Sequence, residues 1–234
     1  MTTVGEIKIS RTKVSRIAEV DFDNIPFGRV FSDHMLVADY INGTWQSPEI
    51  VPYGTLQLAP AMPTLHYGQA IFEGMKAYRN ADGKPVLFRA RDNFARMNRS
   101  AERMVMPAIP EGIFLDGIKE LVRLDVDWIP NQKDSSLYLR PLMFASDDYI
   151  GVKPSDTYKF VIFTCPVGKY YSEPVKLWVT REYVRAAQGG VGEAKTAGNY
   201  AASYYAAKQA QDRGYDNVLW LDGQDHRYIE ECGT

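Results

Sequence analysis

Lys195 sits within "GGVGEAKTAGNYAAS", residues 189–203, where small side chains flank one long cation for several positions on either side. A lysine left to water needs no such neighbours, so the stripped bulk means that something must come close to the backbone beside it. Tyr200 follows five residues later, just ahead of an alanine-rich helix. A lysine, a phenol and a helix N-terminus, which favours anions, therefore fall within one small volume. The same composition would also serve a flexible surface loop with a solvated lysine.

A second group lies at the end of the hairpin that follows. Glu230 and Glu231 are adjacent on a strand and must point to opposite faces. An inward glutamate needs a partner, and a protonated ring nitrogen would serve; the alternative is an exposed edge strand with both acids solvated. Arg96, Arg99 and Arg103 fall at i, i+3 and i+7. Guanidinium forks there suit a phosphate dianion, although such a stripe is also compatible with a solvated or ion-paired face. Tyr138 and Arg140, alternate residues of "SLYLRP", share one side of a strand. The pair could bind a carboxylate, or Arg140 could pair with an internal acid.

The elements that must position these residues are readable in outline. "HMLVADYI" followed by "NGTW", and "KPVLFRA" after a turn at Gly83, read as antiparallel sheet. "DNFARMNRSAERMVM" reads as a helix capped by Asp92 and closed by Pro107, with Phe94, Met97, Ala101, Met104 and Val105 near helical spacing. A second helix is expected from Pro110 to Trp128, with Ile113, Ile118, Leu121 and Val122 inward. "SSLYLRPLMFAS" and "YKFVIFTC" are strands, and residues 169–176 read as a crossing between a first unit, 1–168, and a second, 177–234. In the second unit "KLWVTREYV" is expected as strand, "NYAASYYAAKQAQDRG" as a helix stopped by Gly214, and "NVLWLDGQDHRYIEEC" as a hairpin turning at Asp222 to Asp225. That second unit is short for a hairpin edge to be covered, so the chain is expected to be a fragment of a larger protein.

Composition sets the bounds. The chain has 234 residues, 45% of them hydrophobic, and a formal net charge of -2 with acids and bases interspersed. It can bury a core, and it offers no long-range field for nucleic acid or anionic lipid. Cys165 and Cys232 have no CxxC spacing, and His34, His66 and His226 form no metal pattern, so neither disulfide nor metal is expected. No apolar run reaches membrane-spanning length and the N-terminus lacks a secretory core, which points to the cytoplasm.

"SDHMLVADY", "LHYGQAIFEGMKAY", "LFRARDNFARMNRSAERM", "SLYLRP", "CPVGKYY", "GGVGEAKTAGNYAAS", "NVLWLDG" and "EECGT" occur in the order found in branched-chain amino acid aminotransferases. The chain resembles that family, of the fold type IV class of pyridoxal-phosphate enzymes, from about Phe27 onward. The resemblance implies an α/β fold of α+β type in two domains, a smaller N-terminal α/β domain and a barrel-like domain that binds pyridoxal 5'-phosphate and is truncated here. It implies reversible amino transfer from leucine, isoleucine or valine to 2-oxoglutarate. A D-amino acid aminotransferase, an aminodeoxychorismate lyase or an inactive truncated chain are the alternatives.

By the same resemblance Lys195 is similar to the Schiff-base lysine, and Tyr200 to the residue that hydrogen-bonds the cofactor's phenolic oxygen. Arg96 resembles the phosphate-binding arginine, leaving Arg99 and Arg103 structural. Glu231 resembles the carboxylate on the pyridine nitrogen, with Thr234 close to it in the cofactor pocket. Phe31, Tyr67, Phe72, Tyr138 and Tyr170 resemble the aromatic wall around the substrate side chain, Tyr67 also lying near the α-carboxylate. Arg140, with Tyr138, resembles the acceptor of glutamate's distal carboxylate. Ile150 and Val152 resemble a loop that closes the partner subunit's pocket, which implies a homodimer.

Overall fold

The computed structural model describes residues 6–169, 171 and 173–233. Tyr170 and Thr234, two of the expected site residues, lie outside the described residues.

Residues 8–167 build one large sheet. Its strands are β1 (Lys8–Ile9), β2 (His34–Ile41), β3 (Thr44–Trp45), β4 (Glu49–Pro52), β5 (Ala70–Phe72), β6 (Met75–Arg79), β7 (Pro85–Leu87), β8 (Ser136–Ala145) and β9 (Tyr158–Val167). They run in the order β1-β4-β2-β9-β8-β6-β7, with β3 on β2 and β5 on β8. All pairings but β1 with β4 are antiparallel, as the alternating sequence predicts. The spine is the ten-residue pairing of β8 with β9.

Two helical regions cover one face of this sheet, α2 (Ala90–Arg103) and a segment leading into α3 (Gly117–Leu124). Leu36, Ala77, Leu137, Leu139 and Phe160 from the strands meet Met97, Ala101, Phe114, Ile118 and Leu121 from the helices, all with no more than 2% of their surface exposed. Each large apolar side chain removed from water there is worth about 1.5–3 kcal/mol before entropy is counted. A short helix, α1 (Pro63–Tyr67), ends at Gly68 in the left-handed region and leads into β5.

Local chemistry overrides the expected boundaries in several places. Asp92 is not the cap of α2: Arg89 occupies that position in the left-handed region, and Asp92 in the first turn takes its Nε–H at 2.5 Å. The expected single helix from Pro110 to Trp128 is three segments, a wide turn at Gly112–Asp116, α3, and a tight turn at Val126–Trp128. Asp125 interrupts it, because its buried carboxylate takes the backbone N–H of His34 at 3.0 Å and pairs with the ring Nδ1 at 2.6 Å. The four side chains expected inward are all buried.

The second sheet holds β10 (Leu177–Val179), β11 (Asn217–Leu221) and β12 (Ile229–Cys232) in that order. β10 is shorter than "KLWVTREYV" predicts, because the buried Thr180 hydroxyl accepts the N–H groups of Glu182 and Tyr183 and turns the chain. Helix α4 (Ala197–Asp212) is the crossover between parallel β10 and β11, starting two residues earlier than expected and ending before Gly214 at φ +79°. The hairpin turn is wider than Asp222 to Asp225: the Asp222 carboxylate collects the N–H groups of Gln224, Asp225, Arg227 and Tyr228. Those backbone donors hold its carboxyl well below the usual carboxylate range.

Candidate active site

The loop before α4 is clamped onto the large sheet. The backbone N–H of Lys195 donates to the Ser100 hydroxyl on α2 at 2.9 Å, and its carbonyl accepts the N–H of Phe72 on β5 at 3.0 Å. Thr196 pairs as an isolated bridge with Ile71 and donates its hydroxyl to the Ala70 carbonyl. Asn199, buried in the first turn of α4, donates to the carbonyls of Val191 and Ala194 and closes the loop on itself. A residue gripped at both backbone groups by two elements presents its side chain from a fixed origin.

The smallness of the surrounding residues has a second cause beyond access. A Cβ on Gly192 would lie 2.4 Å from the Ala186 methyl, and one on Gly190 would lie 2.9 Å from the Ala187 carbonyl oxygen. Those two glycines let the loop pack on residues 186–187, whereas Gly198 faces open space.

From that origin Lys195 Nζ lies 2.7 Å from Tyr200 Oη, 4.8 Å from the centre of the Phe72 ring and 5.1 Å from that of Tyr200. The amine stands where two cavities adjoin. The first, about 640 Å³, is walled by Phe27, Phe72, Tyr138, Leu142, Tyr200 and Tyr204, with Arg140 and Arg96 among its few charges. The second, about 390 Å³, is lined by Arg185, Trp220, Glu231 and the loop backbone, and shares Lys195, Tyr200 and Arg96 with the first.

In the first cavity, the strand period decides which side chains meet. Tyr138, Arg140 and Leu142 alternate on β8 with the buried Leu137, Leu139 and Met143 and so face the cavity together. Arg140 Nη2 donates to Tyr138 Oη at 3.0 Å and the guanidinium lies 4.5 Å over the Phe72 ring, while its Nε is buried with no partner. A half-buried guanidinium with a free donor, inside an aromatic cage, offers the kind of partner that a carboxylate entering alongside apolar groups requires. Gly74 makes room for it, since a Cβ there would sit 2.3 Å from Tyr138 Oη. Burial pushes the Cys165 thiol up to about 11 although Arg140 pulls the other way, so it remains protonated and is no nucleophile.

In the second cavity Glu231 is paired with Arg185, Nε to Oε1 at 2.9 Å. Arg185 is nine-tenths buried, and its Nη1 and the Trp220 Nε1 lack partners. Both acids of β12 are exposed, with 49% of the Glu231 side chain open to solvent, so burial does not divide them; only Glu231 lines the cavity, Glu230 lying on the other face of the strand.

Arg96 borders both cavities from α2. It is held by Glu73, Nε to Oε1 at 2.6 Å and Nη2 to Oε2 at 2.8 Å, and that hydrogen-bonded pairing outweighs desolvation and raises the guanidinium's pKa above its ordinary value. Arg103 instead donates to the carbonyls of Gly189 and Gly190, a structural tie to the lysine loop.

Other expected residues are not brought here. Phe31 stacks on Tyr53 at 4.9 Å and meets Phe163 edge-on, which turns its ring away from the cavity lining. Tyr67 ends α1 exposed beside His66 and does not line either cavity. Ile150 and Val152 are 62% and 92% exposed on a surface loop. The wall that forms in place of Phe31 and Tyr67 includes Phe27 and Tyr204, which the sequence pattern did not single out. Neither did it find Glu73 and Arg185; an acid inside the otherwise apolar stretch "AIFEGM" was the available signal for the first, and none marked the second. Among the described residues no group of His, Cys, Asp and Glu side chains is arranged to hold a metal ion. No helix among them is long and apolar enough to cross a membrane.

Residues 70–234 match the family model described as Amino-transferase class IV. The chain belongs to the class IV aminotransferases. It is 49% identical over 219 residues to branched-chain-amino-acid transaminase 1 of Bacillus subtilis strain 168, an alignment covering 92% of this chain and 62% of that protein. It is also 49% identical over 236 residues to branched-chain-amino-acid aminotransferase 2 of the same organism, covering 99% of this chain and 65% of that one. The chain therefore spans less than two thirds of the length of these relatives.

Among solved structures, the branched-chain amino acid aminotransferase of Escherichia coli is similar with a TM-score of 0.68 and 26% identity, over 86% of this chain and 62% of that one. The branched-chain aminotransferase of the thermophilic archaeon Thermoproteus uzoniensis, solved with norvaline, is similar with a TM-score of 0.65 and 25% identity, over 83% of this chain and 62% of that one. The mixed α/β fold is thus the fold type IV architecture expected from the motifs.

Proposed function

We propose that the chain serves branched-chain amino acid transamination, the reversible transfer of an amino group from leucine, isoleucine or valine to 2-oxoglutarate on pyridoxal 5'-phosphate. The observation that carries this reading is the Lys195 amine, 2.7 Å from Tyr200 Oη, at the meeting of an aromatic cavity and an acid-bearing one. The named relatives favour it over a D-amino acid aminotransferase or a lyase of the same fold.

The residues present fit the cofactor. Lys195 is the amine that would hold it, Tyr200 the phenol beside its ring oxygen, Arg96 the cation for its phosphate and Glu231 the carboxylate for its ring nitrogen. Pyridoxal phosphate, when bound, supplies an electron sink for charge left on the substrate carbon. Lys195 would move the proton at the substrate Cα, with Tyr200 Oη orienting the amine. Glu231, held by Arg185, would keep a proton on the ring nitrogen. Phe72, Tyr138 and Leu142 would exclude water around an aliphatic side chain, and Arg140 with Tyr138 would take the distal carboxylate of glutamate or 2-oxoglutarate. Thr234 and Tyr170 belong to the same proposed site by resemblance; Phe31 and Tyr67 were expected there by the same resemblance, but neither lines the two cavities of this chain.

The division into residues 1–168 and 177–234, joined by 169–176, is part of the proposal. It is supported by the large sheet ending at Val167 and the second beginning at Leu177. A homodimer is proposed from the exposed Ile150 and Val152, and a cytoplasmic location accords with the two free cysteines.

The test is borohydride reduction in the presence of pyridoxal 5'-phosphate, followed by mass spectrometry of the intact chain and of the peptide that carries Lys195. A reduced adduct on Lys195, absent from Lys195→Ala, is the expected result. An unmodified Lys195 would refute the reading.

A further inference from the structure

Glu73 is fully buried, yet it carries a carboxylate, and nothing in the proposed chemistry uses it. Burying a carboxylate is costly unless its oxygens are all engaged, and here they are. Oε1 accepts Arg96 Nε at 2.6 Å; Oε2 accepts Arg96 Nη2 at 2.8 Å, Asn93 Nδ2 at 2.8 Å and the Gly74 N–H at 3.2 Å. With no exposed oxygen Glu73 cannot reach a reacting atom, so its effect must pass through what it grips. Asn93 and Gly74 fix the carboxylate from α2 and from the turn into β6, and the carboxylate fixes the arginine.

The geometry of that grip is specific. A guanidinium offers a side-on edge, Nε with Nη2, and an end-on edge, Nη1 with Nη2. Glu73 consumes the side-on edge bidentately, and Nη1 takes no part in the pair. Arg96 itself is 45% exposed and borders both cavities. A long side chain with that much exposure would otherwise sample many rotamers, and an anion would have to order it on binding.

We infer that Glu73 is a positioning residue for phosphate: it locks Arg96 by its side-on edge so that the end-on edge stands ready at the cavity junction for a phosphate dianion. This rests on the proposed pyridoxal-phosphate reading and adds to it the residue that pre-organises the seat. The ion pair leaves Arg96 a full cation at every working pH, and the anchor also ties the phosphate seat to the turn whose Gly74 admits Tyr138 to the substrate cavity.

The experiment titrates the wild-type chain, Glu73→Gln, Glu73→Asp and the Arg96→Ala variant alone and with Glu73→Gln. Each is titrated with pyridoxal 5'-phosphate and with pyridoxal, read by the ligand's absorbance, and thermal unfolding reports the fold of each. Wild type is expected to prefer the phosphorylated compound. Glu73→Gln, which sets an amide N–H against donors, should weaken that compound by about tenfold and leave pyridoxal unchanged. In the Arg96→Ala background the same change should cost no further affinity. Glu73→Asp, which keeps the charge but withdraws it by one methylene, should show the same selective loss and stands in if the glutamine variant does not fold. Equal losses on both compounds, or additive losses in the double variant, would overturn the positioning role. Phosphate preference retained in both Glu73 variants would do so too, leaving the cofactor reading intact. A wild type that binds neither compound, or both alike, would overturn the cofactor reading and the phosphate seat together.

Discussion

At the scale of single residues, the site is a set of cations each given one directed partner. Lys195 has Tyr200, Arg96 has Glu73, Arg185 has Glu231 and Arg140 has Tyr138. Arg140 alone among these faces an aromatic cage with a buried unpaired Nε, which is why it is the residue proposed to take the distal carboxylate of a dicarboxylate substrate. Arg140→Ala is expected to raise the KM for 2-oxoglutarate at least tenfold, a loss of about 1.5–3 kcal/mol, while the KM for leucine changes little. Steady-state kinetics on both substrates decide it, and equal losses would remove the assignment. A second residue outside the site ties the N-terminal segment to the core. Burial alone would raise the pKa of Asp33, but the Arg16 backbone N–H, the Ser15 hydroxyl, the Trp128 indole and the Arg16 charge bring it below the usual carboxylate range. A carboxyl whose folded pKa is depressed stabilises the fold fully above its unfolded pKa, about 4, and loses that contribution as pH falls through the folded value. Asp33→Asn should therefore cost about 1–3 kcal/mol at neutral pH and flatten the acid limb of the stability curve, measured by denaturant unfolding from pH 7 downward. An unchanged acid limb would contradict the argument.

At the scale of elements, the determining fact is that β5, α2 and the lysine loop are sewn together by backbone and hydroxyl contacts, so the Lys195 amine belongs mechanically to the large sheet although its helix belongs to the small one. The end of β5 and the turn into β6 carry Phe72, Glu73 and Gly74, three consecutive residues that respectively line the aromatic cavity, hold Arg96 and admit Tyr138. Gly74→Ala tests this economy of space. Its methyl would overlap Tyr138 Oη, forcing the phenol off Arg140, and overpacking of this kind costs about 1–3 kcal/mol. The expected outcome is a lowered midpoint of unfolding together with weakened 2-oxoglutarate binding; normal binding would show that the ring yields without consequence.

At the scale of the whole molecule, exposed apolar side chains remain around the loop of Ile150 and Val152, and Tyr149 beside them is also exposed. The proposed homodimer should sediment at twice 26.5 kDa, and Val152→Asp should shift it toward monomer. A wild-type chain that sediments at 26.5 kDa at all concentrations would argue against a partner-closed pocket.

Strands β2, β8 and β9, helix α4, the buried side of α3 and the Met97 and Ala101 positions of α2 were legible because apolar periodicity and turn residues act locally, whereas Val105, expected on the same stripe, lies past the end of α2 and is exposed. The contacts of Lys195 with Tyr200 and of Arg140 with Tyr138 were legible because residues close together on one loop or on one face of a strand meet whatever the rest of the fold does. The rest depended on distant pairs. Asp125 breaks a helix only because His34 lies across from it, Phe31 turns away only because Tyr53 and Phe163 offer a stack, and Glu73 is buried only because Arg96 meets it from another element. By itself the sequence determined which reactive side chains lie close along the chain, since residue types and short spacings encode that much. Only the tertiary structure decided which partner each charge received, because the energy of a buried charge is set by groups that folding brings across the chain.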